Sequence, residues 1–193
     1  MIQIAIICFL ALQAAQGEQK VEPGPCESYL STKSAGLLQE CRNSAHQGLA
    51  KAQSWLGFMY GHGKGVLLDY HQAVKWYRKA AEQGEAYAQN SLGEMYREGK
   101  GLSPDYQEAL KWYLKAAEQG VADSQFHLGF MYCDAMGVPQ DFVRAHMWFS
   151  LAAANSKDKS KPYRDARQRV VEKMTADQIA EAQRLAREWK PKK

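Results

Sequence analysis

Gln89-Asn-Ser-Leu-Gly93-Glu-Met-Tyr96 stands 36 residues after Gln53-Ser-Trp-Leu-Gly57-Phe-Met-Tyr60 and 36 before Gln125-Phe-His-Leu-Gly129-Phe-Met-Tyr132. A second block keeps the same spacing: Ala73-Val-Lys-Trp-Tyr77, Ala109-Leu-Lys-Trp-Tyr113 and Ala145-His-Met-Trp-Phe149. Gap-free copies of one unit are the mark of a repeat architecture, in which units too small to bury their own apolar faces stack on one another. Upstream, Ser44-Ala-His-Gln-Gly48 falls in register with Ala80-Ala-Glu-Gln-Gly84, so a half repeat precedes the first full one.

Each unit reads as helix, loop, helix. In the first helix, helix A, Ala52, Leu56, Met59 and Tyr60 recur at i, i+4, i+7 and i+8, one apolar stripe of an α-helix. Gly57 and its copies interrupt that helix, where glycine costs about 1 kcal/mol against alanine. Their presence in every copy predicts the close approach of a neighbouring helix. Helix A stops at Gly63 and Gly65, or at Gly99 and Gly101, since glycine supplies the left-handed residue of a C-terminal cap. The third loop has Ala135 in place of the first glycine, with Cys133 and Met136 beside it.

The second helix, helix B, opens with an aspartate. Asp69 precedes Gln72 by three, and Asp105 precedes Glu108 by three, the spacing of a capping box. Asp141 starts the third copy with Arg144 in the partner position. Ala73, Trp76, Tyr77 and Ala80 form the buried stripe, and Gly84 and Gly120 end the helix. The fold class expected is therefore all-α, a right-handed α-solenoid of stacked helix-loop-helix repeats. Trp, Met and Tyr at the repeated positions are core under this reading, not a cofactor box.

Four segments divide the chain. Residues 1–17 read as a signal peptide: Ile2 to Leu12 is almost entirely apolar but too short to anchor in a bilayer. Ala15-Gln16-Gly17 then offers small residues for cleavage before Glu18. Residues 18–51 form an N-terminal cap and the half repeat, and residues 52–155 the three 36-residue repeats. Residues 156–193 form capping helices with a basic tail. Helices are expected from about Tyr163 to Lys173 and from Asp177 to Trp189, with Thr175 near the second N-cap. Ala180, Gln183, Leu185, Ala186 and Trp189 are expected to face inward. No transmembrane segment remains after cleavage, which places the protein in a secreted or periplasmic compartment.

The formal charge is +4, unevenly spread. Residues 18–149 carry 13 Lys/Arg and 15 Asp/Glu, and residues 150–193 carry 12 and 6. Lys157, Lys159, Lys161, Arg164, Arg167, Arg169 and Lys173 are interrupted by Asp158, Asp165 and Glu172. That pattern reads as a solvated helix face and not as a nucleic-acid surface. Export implies an oxidising compartment. Cys26 and Cys41 are the one local pair, expected as a disulfide, with Glu27 to Thr32 folding back as an N-terminal cap. Cys41 stands where Tyr77 stands in the full repeat, and Cys133 is the odd thiol.

The pattern A-x-x-x-L-G-x-M-Y, then G-x-G, then D-x-x-x-A-x-x-W-Y-x-K-A-A-E-Q-G resembles the Sel-one-like repeat (Sel1-like, or SLR), a relative of the tetratricopeptide repeat. Ala88 to Gly120 is close to an ideal copy, and the resemblance spans about residues 36–155. Met174-Thr-Ala-Asp-Gln-Ile-Ala-Glu-Ala-Gln-Arg-Leu-Ala-Arg-Glu-Trp189 resembles the cap of exported bacterial members. The resemblance implies a tetratricopeptide-like solenoid that binds a protein or peptide partner, as an adaptor. It implies no shared catalytic residue; from the residues themselves no cofactor and no metal are expected, and a monomer is expected.

The alternative is a cell-envelope hydrolase of β-lactamase-like type, a label some cysteine-rich relatives carry. Ser156-Lys-Asp-Lys159 matches Ser-x-x-Lys by letter alone, since neither S-D-N nor K-T-G occurs. His46, His62, His71, His127 and His146 form no H-E-x-x-H, and the cysteines form no C-x-x-C. The protein is expected not to be an enzyme.

A partner is expected on the concave side, lined by the A helices, at positions one step off the core stripe. In repeat 1 these are Lys51, Ser54, Phe58 and His62. In repeat 2 they are Tyr87, Asn90, Glu94, Arg97 and Glu98, and in repeat 3 Asp123, Phe126, Phe130 and Asp134. They differ between copies while the core stripe stays constant. Phe58, Phe126 and Phe130 are the expected aromatic anchors.

Overall fold

A computed structural model describes Pro25, Cys26, Ser28, residues 34–156 and residues 160–191. The signal peptide, most of the expected cap segment Glu27 to Thr32, and Lys157 to Lys159 lie outside the described residues.

The half repeat supplies α1 (Ala35–His46). Three hairpins follow: α2 (Ala50–His62) with α3 (Tyr70–Glu82), α4 (Ala86–Glu98) with α5 (Tyr106–Glu118), and α6 (Ala122–Cys133) with α7 (Phe142–Asn155). The chain then forms α8 (Ser160–Val171) and α9 (Ala176–Glu188). Among the described residues there is no strand.

The aspartates accept as expected, while the reciprocal half of the box is not formed at Asp69 and Gln72 or at Asp105 and Glu108. Asp69 Oδ1 accepts the Gln72 N–H at 3.0 Å, Asp105 Oδ1 those of Gln107 and Glu108 at 2.9 and 3.0 Å, and Asp141 Oδ1 that of Arg144 at 2.9 Å. A reciprocal capping box forms at Thr175 and Gln178, the start of α9. Each hairpin loop closes with one more bond: the N–H of Asp69, Asp105 and Asp141 donates to the carbonyl of Tyr60, Tyr96 and Tyr132. The third loop keeps this geometry although Ala135 must adopt φ +56°, a region where a side chain is strained.

Apolar stripes meet along the stack. Leu56, Met59 and Trp76 pack with Cys41 and Ala45 of the half repeat. Tyr77, Leu92, Met95 and Trp112 join repeats 1 and 2, and Tyr113, Leu128, Met131, Trp148 and Phe149 continue into the C-terminal helices. The expected close approach at Gly57, Gly93 and Gly129 is real, and its partner is the helix B aromatic of the same hairpin. A Cβ on these glycines would come within 2.7, 2.8 and 2.5 Å of the rings of Tyr77, Tyr113 and Phe149.

A polar ladder accompanies the core. Gln53, Gln89 and Gln125 are buried. Each donates from Nε2 to a carbonyl eight residues back, on Ala45, Ala81 and Ala117, at 3.1, 3.1 and 3.2 Å. Each also accepts through Oε1 from the end of its own hairpin's helix B: Gln83 at 2.7 Å, Gln119 at 2.8 Å and Asn155 at 2.9 Å.

The C-terminal helices pack on α7. In α9 the inward residues are Ala182, Leu185, Ala186 and Trp189, with Trp189 edge-on to Trp148 at 5.9 Å. The expectation for Ala180 and Gln183 is corrected: both are exposed. The stripe at i, i+3, i+4, i+7 starts at Ala182, and a helix of 3.6 residues per turn then turns those two positions to solvent. Cys26 and Cys41 are disulfide-bonded and Cys133 is free. No described helix is long and apolar enough to cross a membrane.

Candidate functional site

The A helices α2, α4 and α6 follow one another along one side of the stack, with α8 next in line beyond α6. Between α4 and α6 the Ser124 hydroxyl donates to Asn90 Oδ1 at 2.6 Å. That contact corrects part of the expected groove. Ser54 and Asn90 are only 4% and 5% exposed, and Asn90 meets the following A helix. Phe126, in the same register, is covered in the same way: its ring lies 4.5 Å from that of Tyr163 in α8.

Helix α8 continues the row beyond α6 and covers part of the third repeat's positions. Tyr163 Oη donates to Asp123 Oδ1 at 2.5 Å. Tyr163, Ala166 and Val170, at i, i+3 and i+7, are its buried residues. Phe126 and Phe130 meet 4.7 Å apart, and Phe130 lies 5.2 Å from Phe149, so both are partly buried and pack against the core cluster. Phe130 and Asp134 border a cavity of about 310 Å³ together with Cys133, Phe149, Ala166, Arg169, Val170 and Lys173. Burial, with Asp134 next to it, pushes the Cys133 thiol up, away from the thiolate form.

Repeats 1 and 2 remain open. Lys51, Ser54, Trp55, Phe58, Glu85 and Tyr87 line an apolar hollow of about 300 Å³. Phe58 is fixed edge-on to Trp55 at 5.6 Å and against the His62 ring at 4.2 Å, while His62 Nδ1 lies 3.0 Å from the Phe58 carbonyl. A second, more polar cleft of about 130 Å³ is lined by Gly61, His62, Tyr70, Tyr77, Tyr87, Ser91, Glu94, Met95, Glu98 and Lys100. Tyr87 borders both and is 49% exposed. The open half thus joins Lys51, Phe58, His62, Tyr87, Glu94 and Glu98.

Charges along this surface are cross-linked. Glu98 is held below its ordinary range, first by Lys100 at 2.7 Å and then by Arg97, whose Nη2 donates to it at 2.5 Å. Arg97 Nε also donates to Tyr113 Oη at 3.3 Å. Burial pushes the phenols of Tyr77 and Tyr113 up, so both are neutral hydroxyls at any physiological pH.

Trp55, Ser91 and His127 also belong to this surface, though the sequence reading omitted them. They share one register position and differ in every copy, the same signal that singled out the other groove residues. His127 stacks on Tyr113 at 4.9 Å, with its Nε2 3.3 Å from Glu94 Oε1. Ser156 follows α7, with its N–H donating to the Ala152 carbonyl at 3.0 Å. Among the described residues no group of His, Cys, Asp and Glu is arranged to hold a metal ion.

The model of the Sel1 repeat matches residues 50–85, 86–121 and 122–157, more than half of the chain. The chain belongs to the Sel1 repeat family. A Sel1 repeat protein from Oxalobacter formigenes has a similar crystal structure, with 32% identity and a TM-score of 0.65, over 72% of this chain and 57% of that one. The protein c5321, a protective antigen present in uropathogenic Escherichia coli strains displaying an SLR fold, is 31% identical with a TM-score of 0.58. That match covers 78% of this chain and 39% of c5321. This Sel1 repeat chain therefore spans little more than half of the first solved relative and about two-fifths of the second. Comparison with curated proteins returns no match. Sel1 repeats are generally protein–protein interaction modules and typically not enzymes.

Proposed function

We propose that this Sel1 repeat chain is an exported interaction module whose open groove, over repeats 1 and 2, binds a protein or peptide partner. One observation carries the reading: Tyr87, 49% exposed, borders both the apolar hollow and the polar cleft on the A-helix side of repeats 1 and 2. The hollow at Trp55, Phe58 and Tyr87 supplies aromatic area for an anchor in the open stretch.

Export to a secreted or periplasmic site is supported by the leader-like residues 1–17 and by the Cys26–Cys41 bridge, which an oxidising compartment preserves. Nothing favours the hydrolase alternative: no relative or repeat feature points to an acyl-transfer site.

The test is capture of a partner with the disulfide-intact full chain, followed by measurement of its affinity for variants. Tyr87→Ala and Phe58→Glu should each weaken binding roughly 30-fold or more, as loss of an interface anchor does. Lys75→Ala, on the exposed face of α3, should leave it unchanged. Equal affinity across all these variants would remove the groove from the mechanism.

A further inference from the structure

The register of the repeats exposes a difference between two neighbouring junctions. Position 61 in repeat 1 corresponds to position 97 in repeat 2, so Gly61 stands where Arg97 stands one unit later. At the later junction the Arg97 side chain crosses from α4 to α5 and donates to Tyr113 Oη, with its other arm on Glu98. At the earlier junction Tyr77 holds the position of Tyr113, but no side chain reaches it from position 61. A cleft of about 130 Å³ remains there.

The cleft is open because a side chain is missing, and not because the helices are spread. A Cβ built on Gly61 meets Ala73 and Met95 at 3.6 Å and Tyr77 at 4.0 Å, ordinary contact distances. Its walls suit a guanidinium. Tyr77, Tyr87 and Ser91 line the cleft together with Glu94 and Glu98, whose carboxylates already accept from Asn90 and from Arg97 and Lys100. Hydroxyl and carboxylate acceptors beside aromatic faces match the planar donor fork of arginine better than the point charge of lysine. The one cation in the wall, Lys100, is paired with Glu98 and is half exposed.

We propose that this cleft is an arginine pocket: the partner places one arginine side chain between α2 and α4, where its guanidinium takes the role Arg97 plays at the next junction. The proposal rests on the groove-binding reading above and names the chemistry of the segment that enters it.

The test uses Nα-acetyl-arginine methylamide as the probe, with the citrulline analogue as its neutral isostere, on the disulfide-intact full chain followed by NMR. The expected result is a saturable shift of the Gly61, Tyr87 and Ser91 amides, with the citrulline probe at least tenfold weaker. Gly61→Arg should fill the cleft from within and abolish probe binding. Glu94→Gln, which preserves shape, should weaken it about fivefold or more. Unsaturable shifts, equal binding of citrulline, or unchanged binding in Gly61→Arg would each overturn the pocket. A captured partner that binds wild type and Gly61→Arg equally, yet is lost in Tyr87→Ala, would leave the groove reading standing and remove the arginine pocket alone.

Discussion

The ring of Tyr113 lies directly over Gly93: a Cβ at residue 93 would stand 2.8 Å from both Cδ1 and Cε1 of that ring. Gly57 with Tyr77 and Gly129 with Phe149 repeat the arrangement, so the glycine and the aromatic 20 residues later are two halves of one packing device. Alanine would gain about 1 kcal/mol of helix propensity. The clash must push a buried ring off its seat, which costs more. Gly93→Ala should therefore destabilise by about 1–3 kcal/mol net. Gly61→Ala, also inside a helix but facing only ordinary contacts, should be neutral or stabilising by up to about 1 kcal/mol. Denaturant midpoints of the two variants decide; an equal loss in both would show that the ring contact is not the cause.

The glutamine ladder gives a second prediction. Gln89 joins the Ala81 carbonyl to the Gln119 side chain, and both bonds lie between helices. Gln89→Leu leaves the Ala81 carbonyl without that donor in a buried site and should cost about 1–3 kcal/mol. Gln119→Ala removes a partner at the solvent edge and should cost less than half as much, read in the same unfolding experiment.

Trp112 and Lys111 are sequence neighbours with opposite surroundings. Trp112 is buried between hairpins, with Lys115 Nζ 4.3 Å from its ring centroid. Trp112→Ala should cost roughly 3–5 kcal/mol through the cavity it leaves. Lys111 is exposed and pairs with Glu108 on the surface, an interaction worth well under 1 kcal/mol. Lys111→Ala should barely move the midpoint.

His146 should make the protein acid-sensitive. It is 3% exposed, its Nδ1 has no hydrogen-bond partner, and it occupies the register position of Val74 and Leu110. Burial, reinforced by the Arg167 charge, lowers its affinity for a proton. The unfolded chain then binds more protons than the folded one, so stability is full above about pH 6.5, the ordinary histidine value, and falls as the pH drops through the folded value. His146→Leu should raise the midpoint at neutral pH and flatten its fall between pH 7 and 5. An unchanged pH slope would assign the acid response to other groups.

The Cys26–Cys41 bridge closes a separation of 15 residues and should contribute about 3 kcal/mol in the chain-entropy model. Thiol counting on the denatured, unreduced mature protein should give one free thiol, and peptide mapping should place it at Cys133. Three free thiols would remove the bridge and weaken the case for export.

The sequence by itself determined the unit, its register and its inner face. The spacing of Leu56, Leu92 and Leu128 and of Trp76, Trp112 and Trp148 depends only on helical periodicity within one chain segment, and that periodicity is local. The aspartate caps and the cysteine pair were legible for the same reason, since each joins residues close in sequence. The tertiary structure decided what covers what. Asn90 and Phe126 sit one step off the core stripe, yet the next helix in the row, α6 at Asn90 and α8 at Phe126, meets each of them, because the distance between stacked helices is set by side chains far off in sequence. Likewise Tyr163 reaches Asp123 across 40 residues and brings α8 against the third repeat. No period announces that contact, since α8 lies beyond the repeats and its seat depends on how α7 and α6 are stacked.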